Sequence, residues 1–315
     1  MKSLYLPAEA RHTFHLSVDD RHSIYIEEYG NPEGLPVIYL HGGPGSGCQP
    51  MHAGFFSPQC YRIILLDQRG AGRSTPAGEL DNNTTQNLIT DLETIRKHLQ
   101  IEQWLLFAGS WGVTLALLYA QAFPQCVSGM VLRGAFLARQ VDMEWYLKSG
   151  ARHIYPEQWQ QFLAAIPEHQ QYDIIGYIRY CLQSGDEALL YPVAKAWTLW
   201  GDTLVLGYDP ARADRYPELQ TKTLIELHYA CHRYFIDEDQ ILLNCDRINA
   251  TAMPIHIIHG RRDLVCTPDA AFTLHQQLKH STLTILSDAG HIAHGVSMID
   301  ALVHAADNLA EQLEK

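Results

Sequence analysis

The sequence predicts an α/β protein: a mostly parallel central sheet with helices on both faces and an inserted helical cap. Three observations predict it. Short apolar, β-branched runs alternate with helical patterns over the first 135 residues. From 137 to 250 the character changes, with Trp145, Trp159, Trp197, Trp200 and many tyrosines in helical patterns and no buried strand. Strand-like runs then return. At 315 residues, 47% of them hydrophobic and 18% charged, the chain can fill one such core plus an insertion. The 22 glycines and 15 prolines are spread along it, which excludes disordered, collagenous and coiled-coil readings.

Taken in order, the runs at 37–40, 63–66, 105–107 and 130–132 each read as a strand buried on both faces. Between the second and third, residues 84–99 place Leu88, Leu92, Ile95 and Leu99 at near-helical spacing. Residues 113–122, rich in Ala and Leu, form the next helix. This β-α-β alternation implies parallel strands joined by right-handed crossovers. After the insertion, 255–259 and 283–286 resume the sheet, each leading into a helical stretch. The expected division is therefore a core of 1–136 and 251–315 with a cap of 137–250.

Charge and cysteine content narrow the function classes. There are 23 basic and 35 acidic residues, a net charge of −12, and no basic stripe to neutralise phosphates, so nucleic acid is excluded and a cationic ligand is favoured. The 137–250 segment alone holds 16 acidic and 10 basic residues, which suits a cap that attracts a cation. Seven cysteines without paired metal-ligand spacing read as reduced thiols. No stretch reaches the roughly 18 apolar residues of a membrane span. The start MKSLYLPAE lacks a leader's apolar run, so the expected compartment is the cytoplasm.

The chemistry centres on FAGSWGV at 107–113, which follows a strand and opens a helix. A serine on so tight a turn, between small residues, has its hydroxyl pushed out of the backbone, as in the nucleophile elbow of the α/β-hydrolase fold. Ala108 stands where the first glycine of G-x-S-x-G would be. Ser110 is thus the candidate nucleophile, and it needs a base and an orienting acid, supplied in this fold in the order Ser, Asp/Glu, His. Asp263 in HGRRD and His291 in AGH each follow a late strand and fit that order; Asp288 and His294 are the alternatives. An oxyanion hole needs two backbone N–H groups, one from the residue after the serine and one from an earlier loop. Trp111 and Gly43 of HGGPG at 41–45 fill those places, the glycines allowing close approach of backbone to substrate.

Together HGGPG, DQRGAGRSTP at 67–76, NNTT at 82–85, GSWG at 109–112 and VLRG at 131–134 resemble the proline iminopeptidases (prolyl aminopeptidases) of the α/β-hydrolase superfamily, over nearly the whole chain. The resemblance implies a cytoplasmic serine peptidase, monomeric or oligomeric, without metal or cofactor, that releases an N-terminal proline; its partners are short peptides or aminoacyl amides with a free N-terminus. It implies the same Ser110, Asp263 and His291, with Glu226 as an amine ligand and Phe136, Tyr146 and Cys266 in the proline pocket. Two positions depart from the pattern: Gly201 stands where a second amine-binding glutamate is expected, with Asp202 next to it, and Ala230 where a pocket phenylalanine is expected. An ammonium in a partly buried site needs carboxylates around it, so altered N-terminal selectivity follows. The other readings are an esterase or amidase with the same triad and a ligand-binding protein that keeps only the pocket.

Overall fold

The computed structural model describes residues 1–6 and 9–313; Pro7 and Ala8, in the amino-terminal stretch read for a leader, lie outside the described residues. Eight strands form one sheet: β1 (His12–Ser17), β2 (Ser23–Gly30), β3 (Leu35–Leu40), β4 (Tyr61–Asp67), β5 (Trp104–Gly109), β6 (Val127–Arg133), β7 (Ile255–Gly260) and β8 (Ser281–Leu286). Their order is β1-β2-β4-β3-β5-β6-β7-β8. The strands from β3 to β8 run parallel, while β2 pairs antiparallel with both β1 and β4.

Both faces of the central strands are apolar, as helices on either side require. One rung, Ile38, Ile64, Leu106 and Met130, faces α1 (Thr85–His98) and α2 (Trp111–Ala122). The alternate rung, Tyr39, Leu65, Phe107 and Val131, faces α11 (Val296–Leu313). Helix α1 begins where Thr84 accepts a hydrogen bond from the Asn87 N–H and ends on Arg96, Lys97 and His98, complementing its dipole.

The hairpin β1–β2 has no counterpart among the strands read from the sequence. β1 is largely exposed, and β2 carries Glu27 and Glu28 in mid-strand, both buried. Arginines from elsewhere satisfy them: Arg73 Nη1 lies 2.7 Å from Glu27 and Arg62 Nη2 2.8 Å from Glu28. Carboxylates matched only in three dimensions hide the strand pattern.

Between β6 and β7 the chain is helical, with α3 (Gln140–Glu144), α4 (Pro156–Leu163), α5 (Ile174–Ser184), α6 (Glu187–Leu206), α7 (Thr221–Cys231), α8 (Gln240–Leu243) and α9 (Cys245–Asn249). Several of these pack around a cluster of their own that includes Trp159, Phe162, Trp197, Trp200 and Leu227. A further helix, α10 (Pro268–Gln277), joins β7 to β8. All seven cysteines are free thiols. Among the described residues no helix is long and apolar enough to cross a membrane.

Candidate active site

The turn from β5 into α2 holds Ser110 at φ 56°, ψ −124°, a conformation that L-residues avoid and that persists only where the surroundings enforce it. Those surroundings are specific. A Cβ on Gly112 would collide with the Leu40 carbonyl, and one on Gly109 with the Arg133 guanidinium. Ala108, by contrast, lies within β5 opposite Leu40 and Leu132, where its methyl is simply part of the core. The departure from G-x-S-x-G therefore leaves the turn intact. The Ser110 N–H donates to the Arg133 carbonyl at 2.9 Å, tying the turn to β6.

Loops beyond β7 and β8 bring Asp263 and His291 to this serine. His291 Nε2 lies 3.0 Å from Ser110 Oγ, and its Nδ1 lies 2.7 Å from Asp263 Oδ2. The other oxygen, Oδ1, accepts the N–H groups of Val265 at 3.0 Å and Cys266 at 2.9 Å. Burial alone would raise the Asp263 carboxyl, but the neighbouring His291, its hydrogen bond and the Cys266 N–H outweigh it and hold the group below the usual carboxylate range. Arg133 Nη1 donates to the His291 carbonyl, fixing that loop. Asp288 and His294 are both exposed and take no part in the hydrogen bonds that join Ser110, His291 and Asp263.

His259 supports the acid from behind. Its Nδ1 accepts the Ala135 N–H at 3.2 Å, so Nε2 carries the proton and donates to the Cys266 carbonyl at 2.8 Å, with Asp263 Oδ2 3.4 Å away. Burial holds this imidazole below its ordinary pKa, and it stays neutral.

The glycine loop after β3 lies directly over the serine. A Cβ on Gly42 would stand 3.2 Å from both Ser110 Cβ and the Gly109 carbonyl. Three hydrogen bonds hold the loop: Trp111 Nε1 donates to Gln68 Oε1 at 3.0 Å, Gln68 Nε2 to the His41 carbonyl at 3.0 Å, and the Gln68 N–H to His41 Nε2 at 3.0 Å. Gly43 has φ +109°, open to glycine and strained for other residues. Trp111 is fully buried, with its indole N–H committed to Gln68.

A pocket of about 100 Å³ opens at Ser110 and is lined by Gly43, Phe136, Tyr146, Glu226 and Cys266, the positions singled out from the sequence. Burial pushes the Cys266 thiol and the Tyr146 phenol well above their ordinary values, so both are neutral. Pro44 of the glycine loop lines it too, and Asp142, Met143, Trp197, Tyr234 and Val265 complete the lining without a sequence signal for that role. Tyr234 sits in a run of three non-glycine residues, Arg233 to Phe235, at φ 50–56°, a left-handed turn with no signature in the sequence.

The two departures also have a place. Gly201 turns its absent side chain toward Tyr146, whose hydroxyl would lie 3.0 Å from a Cβ there. Asp202 does not stand in for the missing carboxylate, because it accepts the Tyr216 hydroxyl at 2.5 Å and pairs with Arg212 at 4.0 Å. Ala230 is buried and lines an adjoining cavity of about 320 Å³ that shares Met143 and Tyr234 with the Ser110 pocket.

This fold is that of the α/β hydrolases: the sequence profile described as alpha/beta hydrolase fold matches residues 36–297. An esterase from Exiguobacterium antarcticum shares it at TM-score 0.62 and 19% identity, over 96% of this chain and 100% of that one. Within the fold, the sequence is 44% identical over 298 residues to the proline iminopeptidase of Xylella fastidiosa (strain 9a5c), spanning 93% of this chain and 95% of that protein. It is 41% identical over 315 residues to the proline iminopeptidase of Xanthomonas citri, spanning 98% and 100%. The chain belongs to the proline iminopeptidase family.

Proposed function

We propose that the protein is a serine aminopeptidase that releases an N-terminal residue, proline by preference, from short peptides. The observation that carries this reading is the relay Ser110–His291–Asp263 opening on a small, largely apolar pocket that also presents Glu226. Relatives named proline iminopeptidase at about 40% identity support the substrate class.

In this reading His291 Nε2 takes the Ser110 proton as Oγ attacks the carbonyl carbon of the first residue. Asp263 keeps Nδ1 protonated and stabilises the imidazolium that forms. The Gly43 and Trp111 N–H groups receive the developing oxyanion. His291 then returns the proton to the leaving amine, and water, deprotonated by the same imidazole, releases the acyl group from Ser110. Phe136 and Tyr146 enclose the apolar ring, and Glu226 faces the amine.

Hydrolysis of prolyl, alanyl and leucyl arylamides tests this directly. Turnover with proline preferred is expected, and Ser110→Ala should lower kcat by about 10⁴–10⁶. An enzyme that cleaves simple acyl esters but no aminoacyl arylamide would replace this reading with that of an esterase.

A further inference from the structure

Two carboxylates line the Ser110 pocket, Asp142 and Glu226. Asp142 is committed: Arg139 Nη2 lies 2.7 Å from one of its oxygens and Arg139 Nε 3.2 Å from the other, with both side chains buried. Asp202, beside Gly201 on α6, is committed to Tyr216 and Arg212. Glu226 is left to receive a cation, and it too has a partner from the protein itself. Lys222 Nζ lies 3.3 Å from Glu226 Oε1, one turn earlier on α7. Each pocket carboxylate therefore meets an incoming ammonium with a basic side chain already beside it.

The Lys222–Glu226 pair differs in kind from Arg139–Asp142. Lys222 is 50% exposed and Glu226 17%. Lysine precedes glutamate, the weaker order for an i,i+4 pair on a helix. The ammonium is a point charge on a flexible stem, easily surrendered to water. The Lys222 backbone packs against the glycine loop, its Cα 3.3 Å from where a Cβ on Gly45 would stand, so the lysine sits beside the loop that overlies Ser110. A substrate amine bound at Glu226 must either displace Nζ or share the carboxylate with it, whereas a neutral group at that position meets no such competition.

We propose that Lys222 is a specificity-determining residue: an internal cation that occupies Glu226 in the empty pocket, weakens its hold on a protonated amino terminus and lets the site receive first residues whose amino group is uncharged or absent. The inference rests on the aminopeptidase reading above. It names a substrate class, neutral acyl groups of proline's size, that a pocket built around an unpaired carboxylate would reject.

Prolyl arylamide and its neutral isostere, cyclopentanecarbonyl arylamide, share a leaving group and differ only in the amine, so the ratio of their kcat/KM values reads amine selectivity alone. Wild type should cleave both. Lys222→Met should raise the ratio roughly fivefold, through a lower KM for the prolyl substrate and a higher KM for the neutral isostere, while kcat for the prolyl substrate stays near wild type and a cooperative thermal melt shows the variant is folded. Glu226→Gln should lower the ratio and abolish the effect of Lys222→Met in the double variant. A ratio that Lys222→Met leaves unchanged or lowers, in an enzyme that cleaves prolyl arylamide, overturns the role of Lys222 alone. An enzyme that cleaves neither substrate overturns both it and the aminopeptidase reading.

Discussion

The two sides of the pocket are built differently. On the sheet side, Ser110, His291 and Asp263 are each held by groups fixed in the core: the serine by β6 and two close-packed glycines, the histidine carbonyl by the Arg133 guanidinium, and the Asp263 carboxylate by two N–H groups and the neutral His259. On the helical side, Glu226 is met by a half-exposed lysine, and Gly201, which faces the Tyr146 hydroxyl, has no side chain to offer. Bond-making chemistry needs groups fixed to within a fraction of an ångström, which rigid sheet ends supply. On our proposal, choice of substrate depends on the Lys222–Glu226 pair near solvent, which single substitutions on a helix can retune without disturbing the relay.

The largest expected effect belongs to the sheet side. Asp263→Asn keeps the shape but frees His291 to adopt the wrong tautomer, and kcat should fall about 10⁴-fold. The loss should be the same for prolyl and neutral acyl arylamides. If it differs strongly between them, the separation of chemistry from selectivity breaks down.

Much of the sheet side was legible in the sequence, and the reason is local. Ser110, Asp263 and His291 each follow an apolar run that can only be a strand buried on both faces, and side chains just past such strands gather at one edge of a parallel sheet. The glycine run at 41–45 is legible for the same reason. Strand ends differed by a few residues, as in β6, where Val127 and Arg133 extend the run read as 130–132. The β1–β2 hairpin was not legible, since Glu27 and Glu28 break its apolar pattern and their arginine partners lie far along the chain.

On the helical side, Glu226, Phe136 and Tyr146 came from family resemblance rather than from periodicity. Met143, Trp197 and Tyr234 have no local pattern that marks them, because what brings them to Ser110 is the packing of the insert onto the core. The i,i+4 spacing of Lys222 and Glu226 is visible in the sequence, but such pairs are common on solvated helix faces. Only the fold turns this one toward the pocket.

A smaller effect should appear with acid, again on the sheet side. Burial, with His41 and His294 adding to it, pushes His52 down to about 4, and burial likewise lowers His41 and His259. Unfolded histidines bind protons near pH 6.5, so stability is full above that value and falls as pH drops below it, because the unfolded chain takes up protons first. Asp67, whose carboxylate accepts from Arg73 and from the Cys48 N–H, is held below its ordinary value despite burial, so its contribution is present above about pH 4 and is lost below. Thermal melting should be flat from pH 8 to 7 and decline from about pH 6. His52→Phe should remove on the order of 2 kcal/mol of that decline. A melting temperature constant down to pH 5 would contradict the neutral burial of these rings.

Ser110, activated by His291, is the nucleophile we propose. A fluorophosphonate followed by intact-mass and peptide mass spectrometry tests it most directly. One phosphonyl group per chain, on the peptide containing Ser110, absent from Ser110→Ala and strongly slowed in His291→Ala, is the expected result. A wild-type protein that stays unlabelled, or a Ser110→Ala protein labelled as fast as wild type, would contradict it.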